Sequence, residues 1–146
     1  MKSWIFAGLA SVVATASAAA DLGQSESIFL DDVPPVEQFL WTKRPVIVFA
    51  DTPNDPRYIE QVERLQARQE TLAERDVVIL TDTDPEARSD LRQKLRPRGF
   101  MLVLIGKDGE VKLRKPAPWD VREISRTIDK MPMRQQEVRE RRAAEG

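Results

Sequence analysis

The stretch VIVFADTPNDPRY, residues 46–58, decides how the rest of the chain is read. Its first half belongs to the apolar run PVIVFA (residues 45–50), rich in valine and isoleucine, the pattern of a central strand buried on both faces. Its second half is a loop ending in Asp55-Pro56, a good helix cap followed by a residue suited to the first helical position. A buried strand that runs into a proline-opened helix is where several redox folds keep a reactive cysteine. Here the loop holds Asp51, Thr52, Asn54 and Asp55, and the 146 residues contain no cysteine.

The same grammar recurs outward from this stretch. DVVILT (residues 76–81) and FMLVLIG (residues 100–106) are two more continuous apolar runs. GEVKLR (residues 109–114) alternates instead, Val111 and Leu113 against Lys112 and Arg114, as an edge strand guarded by charge does. The turn-forming GKDG (residues 106–109) joins the last two runs into a hairpin. Helices are expected between the other strands. One opens at Pro56 with Ile59, Val62, Leu65 and Leu72 inward; a second is capped by Asp84 and opened by Pro85, with Ala87, Leu91 and Leu95 stacked. A third spans about residues 119–130, with Val121, Ile124, Ile128 and Met131 inward, and Pro132 forces its end. The order β-α-β-α-β-β-α requires a right-handed parallel crossover and then an antiparallel hairpin. It predicts an α/β, thioredoxin-like fold: a mixed four-stranded sheet with helices on both faces.

Residues 1–20 read as a secretory signal peptide: Lys2, an apolar stretch from Trp4, then small residues with cleavage after Ala18 or Ala20. A loose N-terminal segment is expected over residues 21–35, the domain over 36–134, and a charged C-terminal tail over 135–146. Phe39, Leu40 and Trp41 are expected to dock on the core ahead of the first strand. The expected compartment is periplasmic or extracellular, with no membrane span after cleavage. Absent cysteine excludes disulfides, thiol catalysis and thiolate metal sites, and zero histidine removes imidazole bases and ordinary zinc or copper sites. A formal charge of −1 supplies no global field for nucleic acid.

The segments RPVIVFA, DPRYIEQ, ERDVVIL, GFMLVLIGKDGEVKLR and IDKMPMR, spread over residues 41–134, resemble the thioredoxin-like domain family DUF4174. That family occurs in exported bacterial proteins and as a module of animal extracellular-matrix proteins. The resemblance implies the fold and export, and it brings no reaction with it. Within this pattern TPND puts Asp55 where a peroxiredoxin carries its cysteine, so redox work at that position is chemically impossible. The proline that precedes the third strand in thioredoxins is missing too: Pro97 lies too early, and Gly99-Phe100 stands in its place.

The candidate binding residues are therefore Asp51, Thr52, Asn54, Asp55 and Arg57 in the loop, Lys107 in the hairpin turn, and Met131, Met133 and Arg134 of MPMR. Backbone amides at the helix start, with Arg57 and Arg44, could hold an anion there. Asp82, Asp84 and Glu86 alternate like oxygen ligands but lack the glycine and distal glutamate of a calcium loop, and Asp84 serves as a cap. No metal, cofactor or catalytic residue is expected. The leading expectation is a non-redox interaction module whose surface around the strand-one loop and the hairpin contacts a protein, matrix or envelope component. The alternative is a carboxylate-dependent enzyme or anion-binding protein that uses Asp51, Asp55 and Arg57.

Overall fold

The structure, a computed structural model, describes residues 26–146; the expected leader and residues 21–25 lie outside the described residues. Strand β1 (Arg44–Phe49) is buried at every position and lies inside the sheet. It pairs in parallel with β2 (Val77–Asp82), Arg44 opposite Val77, and antiparallel with β3 (Met101–Ile105), Val46 opposite Leu104. Strand β4 (Val111–Lys115) completes the order β2-β1-β3-β4 as the antiparallel edge. This is the expected mixed four-stranded, thioredoxin-like sheet.

Side chains of successive strand residues point to opposite faces, so each strand feeds two cores. On one face Val46, Val48, Ile79, Leu102 and Leu104 pack under α1 (Pro56–Gln66), α2 (Gln69–Ala73) and α4 (Val121–Asp129), which contribute Leu65, Leu72, Val121, Ile124 and Ile128. On the other, Ile47, Phe49, Leu80, Val103 and Ile105 lie under a 3-10 turn (Val36–Phe39) and α3 (Asp90–Leu95) through Val36, Leu91 and Leu95. Each fully buried leucine or isoleucine contributes about 2 kcal/mol.

The antiparallel pairing of β1 and β3 sets the map of the molecule. The turn after β3 lies where β1 begins, whereas the 51–57 loop follows the end of β1. A six-residue strand separates the two poles by about 20 Å. The loop and the hairpin therefore lie at opposite ends of β1 rather than side by side.

Local departures have identifiable causes. The first helix stops at Gln66 and restarts as α2, which places Leu72 on a separate element. Ile59 is exposed, and its expected inward place is taken by Gln61, fully buried between two hydrogen bonds to the Trp119 backbone (2.8 and 3.0 Å). A buried amide with both ends satisfied is as admissible in a core as an aliphatic side chain. Asp84 makes no capping bond: Pro85–Ala87 is a 3-10 turn, Ala87 is exposed, and Ser89 caps α3 through the Arg92 amide. The chain turns at Arg88 (φ 46°), and Ser89 donates its hydroxyl proton to Asp82 at the end of β2.

Both ends of the domain are held more firmly than composition suggests. Ile28 is buried, and residues 28–30 run alongside β2, Ile79 N–H donating to the Ile28 carbonyl and Leu30 N–H to the Ile79 carbonyl. That stretch of the segment expected to be loose thus covers part of an open sheet edge. The charged tail belongs to a regular helix, α5 (Pro132–Glu145), pinned to the sheet by Glu137. Trp41 does not dock on the core: it sits at φ 66° and is 65% exposed.

Candidate functional site

At the loop pole, Asp55 caps α1 by accepting from the Arg57 amide (2.9 Å). The same carboxylate takes the Arg57 guanidinium through Nε (3.2 Å) and Nη2 (2.9 Å). These hydrogen bonds hold the Asp55 carboxyl below the ordinary aspartate range and push Arg57 further up. The guanidinium carbon lies 5.7 Å from the centre of the Phe100 ring, beside Gly99, which adopts φ 58°. Thr52 accepts from the Asn54 amide, and Asp51, Thr52 and Asn54 are exposed. The loop's one strong acid-base pair is spent on itself. The clefts described below take no wall residue from it.

The hairpin pole is built differently. Arg44, the first residue of β1, is 1% exposed. Its Nη2 and Nη1 donate to the two oxygens of Glu137 (2.9 and 3.3 Å), and Nη1 also donates to the Arg75 carbonyl (2.9 Å). Lys107 Nζ lies 2.8 Å from the same Glu137 and 2.8 Å from Asp76. Arg134 reaches Glu137 at 3.5 Å. One carboxylate from α5 therefore serves three cations from β1, the β3–β4 turn and its own helix. Burial alone would raise the Glu137 carboxyl, but hydrogen bonds from Arg44 and Lys107 outweigh it and hold the pKa at about 2.

In front of this cluster opens a groove of about 730 Å³, walled by Arg44, Lys107, Lys130, Met131, Met133 and Arg139. Among the described residues Lys130 and Arg139 form no ion pair, so their charges remain available at its rim. Beside it the Trp41 amide donates to the Lys107 carbonyl (2.7 Å) while the indole faces outward. Leu40 lies so close to Gly109 (φ 82°) that a Cβ there would stand 2.8 Å from it.

The predicted site residues divide between the poles. Asp51, Thr52, Asn54, Asp55 and Arg57 stay at the loop; Lys107, Met131 and Met133 meet in the groove, with Arg134 buried behind it. Lys107 is nine-tenths buried rather than a free turn residue. Arg44, expected near the loop, lies at the opposite pole. Sequence reading missed Glu137, Lys130 and Arg139; nothing in RQQEVRERR distinguishes the one glutamate that turns inward. Asp82 is likewise occupied: Arg92 Nε donates to it at 2.8 Å, with both side chains under a tenth exposed. Asp84 and Glu86 point away as exposed residues.

The model of a family described as a domain of unknown function, DUF4174, matches residues 35–137. No curated protein matches the chain. Among solved structures, the chain is similar to the reduced 2-Cys peroxiredoxin of Plasmodium vivax, with TM-score 0.57 and 15% identity over 69% of this chain and 84% of that one. It is similar to Plasmodium yoelii thioredoxin peroxidase I, with TM-score 0.53 and 17% identity over 69% and 79%. The N-terminally modified Plasmodium yoelii Prx1a gives TM-score 0.53 and 17% identity over 69% and 80%. At these identities the likeness shows the fold alone.

Proposed function

This chain belongs to the DUF4174 family of thioredoxin-like domains, and from that premise we propose that it is an exported, non-redox interaction module. The observation that carries the reading is the state of Asp55. At the helix start, where a thiolate would be stabilised for nucleophilic attack, a carboxylate is consumed as cap and ion-pair partner. Export rests on the leader pattern of residues 1–20.

Recognition is assigned to the hairpin pole. The methionine-lined groove offers an adaptable apolar floor, since unbranched thioethers repack around varied shapes. Lys130 and Arg139 at the rim call for negative charge, and Leu40 and Trp41 extend the apolar surface beside it. The partner that fits is an extended segment of another envelope or matrix protein, carrying a carboxylate next to an apolar side chain. The alternative, acid-base catalysis or anion binding at the 51–57 loop, has less support. A general base working near neutral pH needs a carboxyl raised toward 7, and Asp55 is shifted the other way.

Purified mature protein should consume no peroxide and reduce no insulin disulfides; turnover in either assay sinks the non-redox reading. A partner retained from envelope extract by the parent protein should be lost on Met133→Glu and kept on Asp51→Asn. The reverse pattern would move the recognition surface back to the loop.

A further inference from the structure

A second cleft, of about 660 Å³, lies on the helical face between the α1–α2 break and α4. Its walls carry five arginines, Arg64, Arg68, Arg75, Arg122 and Arg126, against two acids, Asp120 and Asp129. In a chain of formal charge −1 this concentration is a local property of the face. Three of the guanidiniums are committed. Arg75 grips Asp129 through two 2.9 Å bonds, Arg64 is shared between Glu60 and Asp120 (2.6 and 3.0 Å), and Arg126 reaches Glu123 (3.2 Å). Among the described residues Arg68 and Arg122 form no ion pair. Arg68 stands at the non-helical junction of α1 and α2, while Arg122, Ser125 and Arg126 share one side of α4 by their three- and four-residue spacing.

Ser125 provides a second, independent observation. It is 6% exposed, it lines this cleft, and among the described residues its Oγ has no hydrogen-bond partner. Native proteins leave few buried hydroxyls unpaired, because the desolvation cost is not recovered. A hydroxyl without a partner, lining the same cleft as two uncommitted guanidiniums, is a donor that lacks its acceptor. Beyond the Arg75–Asp129 bridge a further cleft, of about 450 Å³, adds Arg142 and shares Arg139 with the hairpin-pole groove.

We propose that the cleft between the α1–α2 break and α4 is an oxyanion site for a phosphate group, held by Arg68 and Arg122 with Ser125 Oγ donating from the floor. A tetrahedral phosphate presents enough acceptors for planar guanidinium forks and a hydroxyl at once, a combination a single ammonium could not satisfy. This site is separate from the hairpin-pole groove, and its test does not depend on that reading.

The experiment is a ¹⁵N-¹H titration of the mature protein with potassium phosphate, against potassium chloride at matched ionic strength. Saturable shifts are expected at the amides of Thr71, Ser125 and Arg126, with Kd of about 1 mM or tighter. The double variant Arg68→Gln/Arg122→Gln should weaken binding about tenfold or more. Ser125→Ala should weaken it about fivefold without lowering the melting temperature, since the unpaired hydroxyl is removed. Met133→Glu, in the groove, should leave phosphate binding unchanged. Non-saturating shifts that chloride reproduces would overturn the proposal, as would wild-type affinity in Ser125→Ala. A glycerol phosphate arm and a phosphatidylglycerol vesicle arm separate a free phosphomonoester from a lipid headgroup as the source.

Discussion

Replacing Glu137 with glutamine removes the one negative charge shared by Arg44, Lys107 and Arg134 while keeping the helix and the side-chain volume. The magnitude follows from the carboxyl itself. Its pKa stands at about 2 in the folded chain against an ordinary 4.5. At ~1.4 kcal/mol per unit, the ionised form contributes about 3 kcal/mol to stability. A depressed carboxyl stabilises above its unfolded pKa and loses that contribution as pH falls through the folded value. The stability should therefore be intact at pH 6 and decline between about 4.5 and 2. Glu137→Gln should be about 3 kcal/mol less stable than the parent at neutral pH, a loss of about 10 °C in melting temperature for a domain of this size. By pH 2 most of the difference should be gone. Urea denaturation followed by far-UV circular dichroism at pH 7, 4 and 2.5 measures this. A variant within about 0.5 kcal/mol of the parent at pH 7, or a gap that does not shrink in acid, would refute the account. Ending the chain after Arg134 should imitate the substitution, whereas ending it after Val138 should not, because only the first cut removes Glu137.

Three further outcomes are expected. Asp82→Asn leaves the Arg92 guanidinium buried without its counter-charge and should cost about 3 kcal/mol by urea midpoint; a loss under about 1 kcal/mol would show that the Ala50 and residue-82 carbonyls suffice. Gln61→Ala strips both partners from the half-buried Trp119 backbone and should cost about 2 kcal/mol, with protection of the Trp119 amide against hydrogen exchange falling in parallel. Asp55→Ala should lower the melting temperature at neutral pH and not in strong acid, where the parent carboxyl is protonated too. It should leave partner retention unchanged, and loss of the partner would restore the loop as the recognition surface.

The sheet was legible because buried strands and their order are written in contiguous residues. Three apolar runs, one alternating run and a GKDG turn suffice to place β1 to β4. The site was legible only in part: Lys107, Met131, Met133 and Arg134 were marked, but the partners that join them were chosen by topology. Arg44 opens β1, and only the antiparallel course of β3 brings Lys107 beside it, while Glu137 arrives from 93 residues further along. Chain proximity pointed Arg44 toward the 51–57 loop, and strand direction placed it at the other end. Helix periodicity failed in the same way at Ile59, where a glutamine with two backbone partners outcompeted an isoleucine for the interior. Hydrophobicity patterns carry no information about which polar side chains will find partners.

Arg75 shows how closely the two surfaces are joined. Its carbonyl accepts from Arg44 in the hairpin-pole cluster, while its guanidinium holds Asp129 in the wall of the phosphate cleft. The backbone of one residue thus serves the groove and its side chain serves the cleft. The two can be altered independently, because substituting the side chain leaves the carbonyl in place. The thioredoxin-like frame makes this possible by starting β1 and β2 side by side next to α4 and α5. Neither surface draws a residue from the 51–57 loop. With Asp55 serving as a helix cap at the loop corner, the strand ends and helix junctions are the rigid supports, and there Lys130, Arg139, Arg68 and Arg122 stand without an ion-pair partner among the described residues.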